Sequence, residues 1–287
     1  MLGDCHVHMV LDGVCWRDAI ARHRPAADER WVRGVLARYQ AAGIRFLRDG
    51  GDASGVCGLA AEIAPEYGID YRTPCFPIHR RGRYGGFIGR GYETLAEYRA
   101  LVAEVRRRGG DFIKLMLSGL MDFDRCGVVT GTPLAADEIR ELVAIAHGEG
   151  FAVMAHVNGA GTVRAALEAG VDSVEHGAYC DEACLRLLAA SGAVWVPTLA
   201  TAGNLRGTGR YDEAAVAKIL AGQQARVARA AALGARIALG SDAGAWAVPH
   251  GQGTLDELAL LQAALGAEAG AILANGEAAI RERFRRT

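Results

Sequence analysis

The chain has 287 residues, a formal net charge of −1 and 23% charged residues, a length that suits one barrel of about 250 residues better than two small domains. A balance this even supplies neither the basic field that holds nucleic acid nor an acidic tail, which leaves a small molecule as the expected partner. No apolar run reaches membrane-spanning length, and Met1-Leu2-Gly3-Asp4 opens no basic segment followed by an apolar stretch, so a cytoplasmic protein that engages no membrane is expected.

Short apolar runs alternate with amphipathic stretches, the pattern of parallel strands covered by helices. In chain order, strands are expected over 3–8, 44–48, 70–74, 112–116, 152–156, 173–176, 194–198 and 236–241. Helices are expected over 28–42, 94–108, 135–149, 161–169, 181–190 and 212–233. Gly43, Gly109, Gly150, Gly170, Gly192 and Gly234 follow these helices where a left-handed cap is wanted. The next strand begins within a few residues of each, so these turns form one face of the barrel. The longer segments 74–93 and 117–133 then lie on the other face, where such barrels build their sites. Two further helices, 254–265 and 268–284, close the chain, and the basic end Arg281-Glu282-Arg283-Phe284-Arg285-Arg286 reads as a solvated helix terminus. The whole, 1–287, reads as a single (β/α)8 barrel of the α/β class, with no linker or repeat to divide it; oligomerisation, as a homo-oligomer, is left open.

The seven cysteines are odd in number, scattered and without a Cys-x-x-Cys pair, against both a disulfide framework and a zinc knot. Cys180 and Cys184 read as packing residues at a helix start. Ligand-type side chains gather elsewhere. His6 and His8 are two apart at the end of the first strand and so share a face. His156, His176 and Asp242 end three other strands. In a closed barrel these ends converge, and imidazole with carboxylate is a usual ligand set for zinc or a neighbouring transition metal.

Lys114 lies inside the run Phe112-Ile113-Lys114-Leu115-Met116-Leu117, where a bare ammonium is costly to bury. Either it snorkels to solvent at the strand end, or it is compensated. Reaction with carbon dioxide would make it a carbamate, an anion with two oxygens able to bridge two cations, as in sites where two metals share the activation of water.

With Asp4-Cys5-His6-Val7-His8, Phe112-Ile113-Lys114, Ala155-His156, Val174-Glu175-His176-Gly177 and Gly240-Ser241-Asp242-Ala243-Gly244 in this order, the chain resembles the amidohydrolase superfamily over nearly the whole barrel. In detail it is similar to the branch with prolidase-like dipeptidases and imidazolonepropionase-related proteins. The resemblance implies two divalent metal ions, zinc by preference. His6, His8 and Asp242 would hold the more buried one, His156 and His176 the second, and a carboxylated Lys114 would bridge them. It also implies that Asp242 takes the proton of the attacking water. Family members usually carry a small β-sandwich built from segments before the first strand and after the last helix, and this barrel is expected to lack it. Arg83-Tyr84-Gly85-Gly86-Phe87 stands where relatives tend to have Gly-Gly-His, and Ser118-Gly119-Leu120 where they have Ser-Gly-Gly, so a re-cut pocket is expected.

Substrate contacts are expected from Tyr179, leaning over the metals, from Asn158, from His250 and from Arg83. Arg80, Arg81 and Arg83 would clamp a substrate carboxylate if they point inward; if they are solvated, Tyr84, Phe87 and Tyr179 would instead form an apolar mouth. Gly85, Gly86 and Gly89 fit either a lid or a plain turn. His23 and His147 read as surface or packing residues. The function expected is metal-dependent hydrolysis of a C–N bond in an amide, a dipeptide-like compound or a cyclic amide. A mononuclear deaminase on the same barrel would not need an anionic bridge at Lys114, and an inactive metal-binding barrel would not need Asp242 as a base.

Overall fold

The computed structural model describes residues 2–285; Met1 and Arg286, named above, lie outside the described residues. The strands are β1 (Leu2–Val7), β2 (Ile44–Asp49), β3 (Asp70–Arg72), β4 (Pro77–Arg80), β5 (Arg90–Tyr92), β6 (Ile113–Met116), β7 (Val153–Val157), β8 (Ser173–His176), β9 (Val194–Val196) and β10 (Arg236–Ile237). All pair in parallel, in the orders β1-β2-β3 and β10-β9-β8-β7-β6-β4-β5.

Hydrogen bonds join the two sheets at both seams. Beyond β10 the chain runs on beside β1: Cys5 N donates to Leu239 O at 2.8 Å, Asp242 N to His6 O at 2.7 Å and His8 N to Ala243 O at 2.8 Å. At the other seam β3 pairs with β2 and β4 pairs with β6. Between these halves of one stave, Thr73 O accepts from Asp111 N at 2.8 Å and Thr73 N donates to the Asp111 carboxylate at 2.9 Å. The result is the α/β barrel of eight parallel staves expected from the sequence.

Inside it Cys5, Phe46, Phe112, Met154, Val194, Val196 and Ala238 pack with Ile280 and Phe284 of the last helix. Phe284 meets Phe112 edge to face at 5.4 Å. The long helices start where short polar side chains can take an orphan amide: Asp28, Thr94, Asp181 and Asp212 each accept one, and Thr94 forms a full capping box with Glu97. All six glycines expected to end helices carry positive φ.

The sequence reading missed β4, β5 and the helices Trp16–Arg22, Val56–Ile63 and Ala200–Gly203. Pro-Ile-His-Arg and Arg-Gly-Tyr carry no apolar run, so only their pairing with neighbours makes them strands. The expected absence of a long apolar run needs one qualification. Gln252–Arg283 is apolar and long enough by composition, but it is two helices, Gln252–Leu265 and Ala269–Arg283, parted by a short 3-10 turn at Gly266–Glu268.

Candidate metal centre

Six side chains from five staves reach one cavity of about 570 Å³: His6, His8, Lys114, His156, His176 and Asp242. The register explains the grouping. Met116 pairs with His156 and Val157 with His176, so adjacent strands deliver their ligand-type residues at neighbouring levels. His6, His8 and Asp242 each place a ligand atom within 4.8 Å of the others. His8 Nε2 lies 3.3 Å from both His6 Nε2 and Asp242 Oδ1. The His156 and His176 rings are 4.6 Å apart and His176 is 5.1 Å from His6. Gly50 makes room for this packing, because a Cβ there would stand 2.3 Å from His8 Cε1. His176, Asp242 and Thr198 all have φ between 51° and 65°, a left-handed backbone that costs about 1–3 kcal/mol each and clusters at functional sites.

Three of the four imidazoles have one nitrogen held from outside. His6 Nδ1 donates to Glu175 Oε2 at 2.7 Å, His176 Nδ1 lies 2.7 Å from Thr198 Oγ1, and His156 Nε2 donates to Gly119 O at 3.1 Å. The other nitrogen is thereby fixed toward the cavity, the arrangement that orients histidine metal ligands. Burial pushes the His8 and His156 rings down to about 3 and holds His6 and His176 well below the usual imidazole range, with the Lys114 ammonium adding to the effect. Neutral imidazoles offer lone pairs. Asp242 is raised to about 7 by burial, against the opposing pull of Lys114. Lys114 is 1% exposed, its Nζ has no hydrogen-bond partner, and burial lowers it to about 8 although Glu175 favours its charge. Four neutral imidazoles beside an orphaned buried amine and a carboxylate fit divalent cations in donor type and number.

The substrate contacts read from the sequence fare differently. Asn158 lines the cavity, but its amide is engaged at both ends, donating to Gly119 O at 3.0 Å and accepting from Ala178 N at 3.0 Å. It shapes the wall. Tyr179 is absent from the lining; it has φ 63° and packs against the main hydrophobic core. His250 is also outside, its ring nitrogens bonded to Leu11 O at 2.8 Å and Tyr39 Oη at 2.9 Å, so it ties two loops together. Arg83 is exposed and off the cavity. Arg80 and Arg81 pair with Glu138 and Glu97, each at 2.6 Å, so the three do not form a clamp. Tyr84 and Phe87 do line the cavity, with Tyr84 4.8 Å from the His156 ring. The 81–89 segment is a packed turn in which Ile88 N and Gly89 N both donate to Gly85 O.

Sequence reasoning overlooked the support behind the histidines. Arg48 is fully buried and donates to Glu175 Oε1 at 2.8 Å, Ser173 Oγ at 2.8 Å and Cys5 O at 2.7 Å. The signal was present, since Arg48 and Glu175 are charges inside apolar strands just as Lys114 is. It also overlooked Arg17, Arg210, Tyr211 and Trp246 on the cavity wall, for which the sequence carries no periodic signal.

A model of the amidohydrolase family matches residues 43–275, and the chain belongs to that family. An uncharacterized protein of Mycobacterium tuberculosis is 32% identical over 274 residues, covering 90% of this chain and 66% of the relative. Ochratoxinase of Aspergillus niger is 28% identical over 226 residues, covering 69% of this chain and 46% of that enzyme. The chain thus spans between about half and two thirds of the length of these curated relatives. Among solved structures, A. niger ochratoxinase superposes with a TM-score of 0.79 at 21% identity, over 97% of this chain and 71% of that one. A Xaa-Pro dipeptidase with bound methionine gives 0.74 at 20%, over 98% and 74%. At these identities the likeness is one of fold.

Proposed function

We propose that this chain is a metal-dependent hydrolase that cleaves a C–N bond of an amide, a dipeptide-like compound or a cyclic amide. The single observation that carries the reading is Lys114: a buried amine with no partner, facing imidazoles that burial keeps neutral. Carbon dioxide adding to the neutral amine, with loss of a proton, replaces it by an anionic carbamate suited to lie between two cations. His6, His8 and Asp242 would hold one cation and His156 and His176 the other. Cations bound there supply Lewis acidity toward a substrate carbonyl and lower the pKa of water. Asp242, at the cavity edge of the ligand set, takes the proton of the attacking water and returns it to the departing amine nitrogen. Glu175, Thr198 and Gly119 keep three rings in register during this exchange. The family membership and the relative named ochratoxinase support the C–N class.

The test is elemental analysis and intact mass after loading with zinc and bicarbonate. About two ions per chain and the mass of one added carbon dioxide are expected, with Lys114→Ala losing both the added mass and at least one ion. One ion, unchanged in Lys114→Ala, would replace the binuclear centre by a mononuclear one. Asp242→Asn should keep its fold and lose turnover about a hundredfold or more; near-normal turnover would remove Asp242 from the mechanism.

A further inference from the structure

The outer half of the cavity is built differently from its floor. Arg17 lies over the Trp16 ring at 4.6 Å, and Arg210 lies over the Trp246 ring at 4.2 Å, with Tyr211 at 5.5 Å. Trp16 in turn meets Phe87 edge to face at 5.5 Å. Val14 and Trp16 are 73% and 45% exposed, which places this group at the mouth. Neither arginine pairs with an acid among the described residues, whereas Arg22, Arg33, Arg48, Arg80, Arg81 and Arg90 each do. The carboxylates on the neighbouring loops are already used: Asp12 by Arg22, Asp122 by Arg125, and Glu213 by the Gly207 amide. Asp242, on the floor, is the single acid that lines the cavity among the described residues.

A guanidinium stacked on an indole has its plane fixed, while its edge N–H groups stay available for a bidentate contact with a carboxylate. Two such groups face one opening flanked by aromatic rings. We propose that Arg17 and Arg210 form an anion-selecting mouth, so that the substrates are amides whose outer arm carries a carboxylate beside an aromatic or apolar group. Resting on the hydrolase reading for the scissile bond, this keeps the charge preference expected from Arg80, Arg81 and Arg83 and moves its source to the helix Trp16–Arg22 after the first strand and to the segment before the helix Glu213–Ala232.

Binding and turnover are measured separately. Calorimetry on the metal-loaded enzyme at low ionic strength compares 3-phenylpropionate with the neutral 3-phenylpropan-1-ol, since exposed guanidinium groups are screened by salt. The carboxylate should bind about tenfold more tightly. Arg17→Gln and Arg210→Gln should each reduce that ratio, the double variant should bring it close to one, and Arg83→Gln should leave it unchanged. No preference in the wild type overturns the mouth, and so does a preference that survives in the double variant, because the anion would then sit at the inner centre. Turnover of N-acyl amino acids against their methyl amides forms the second arm: an arginine-dependent binding preference without any turnover removes the hydrolase reading and leaves the anion mouth standing.

Discussion

Glu175 governs how His6 presents its cavity-facing nitrogen, because its two oxygens are divided between His6 Nδ1 and Arg48, all three residues being fully buried. In Glu175→Gln the guanidinium keeps its charge and loses its counter-ion. Breaking a buried pair in this way costs about 3–5 kcal/mol, and releasing a ligand's outer partner weakens metal affinity about 10–100-fold. Metal titration and denaturant unfolding of the variant should show both losses; unchanged zinc affinity would mean that Glu175 serves folding alone. A second buried acid gives a test by pH. Burial pushes the Glu257 carboxyl up to about 8, although it accepts from Ala200 N at 2.6 Å. The folded state therefore retains a proton that the unfolded chain has given up above the ordinary carboxylate range. Its contribution to stability is complete below that range and is lost as pH rises toward about 8. Glu257→Gln does not titrate, so the melting temperature of the variant minus that of wild type should increase from about pH 5 to about pH 9. A difference that is flat with pH would mean that this carboxyl titrates normally.

The last helix, Ala269–Arg283, is pressed against β10 at a position where only hydrogen fits: a Cβ on Gly276 would lie 2.0 Å from Ile237 O. Gly276→Ala must push the helix outward and with it Ile280 and Phe284, which close the barrel floor. Overpacking of this kind costs about 1–3 kcal/mol. Gly270 on the same helix has nothing within 4 Å of the corresponding position, so Gly270→Ala should be neutral or stabilising by up to about 1 kcal/mol. Urea midpoints that move equally for the two variants would contradict the close approach. Elements with a strong period were legible in the sequence, and the helix starts at Asp28, Thr94, Asp181 and Asp212 were legible from their capping side chains. The six cavity-lining ligand candidates were legible for a related reason: they end or interrupt apolar runs, where a polar side chain needs a compensating role. The break of one stave into β3 and β4 was not, because Thr73 and Asp111 fix it through a contact across 38 positions of sequence. That Tyr179, His250 and Arg83 stand outside the cavity lining was not legible for the same reason. Nearness in sequence to a ligand says which loop a residue belongs to, and the loop's own bonds decide which way it faces.

The barrel as a whole turns six residues spread from position 6 to position 242 into one cluster, so a cation bound there engages staves far apart in the chain. The unfolded chain cannot gather these groups, and metal binding is therefore coupled to folding. At a free metal concentration 100-fold above Kd the folded state gains about 2.7 kcal/mol. For chains somewhat shorter than this one, each kcal/mol moves the melting temperature by about 2–4 °C. Treatment with a chelator should thus lower the melting temperature by several degrees, and zinc with bicarbonate should restore it in a dose-dependent way. Lys114→Ala should recover only part of the rise, because it keeps the imidazoles and Asp242 but loses the anion between them. Arg83→Gln, remote from the cavity, should recover all of it. Mass action makes the shift obligatory for any ion that binds the folded chain more tightly than the unfolded one, whether or not a substrate is ever found. A melting temperature indifferent to zinc across that range would therefore dismiss the metal centre itself, leaving the barrel with four neutral imidazoles and an amine that no physical partner explains.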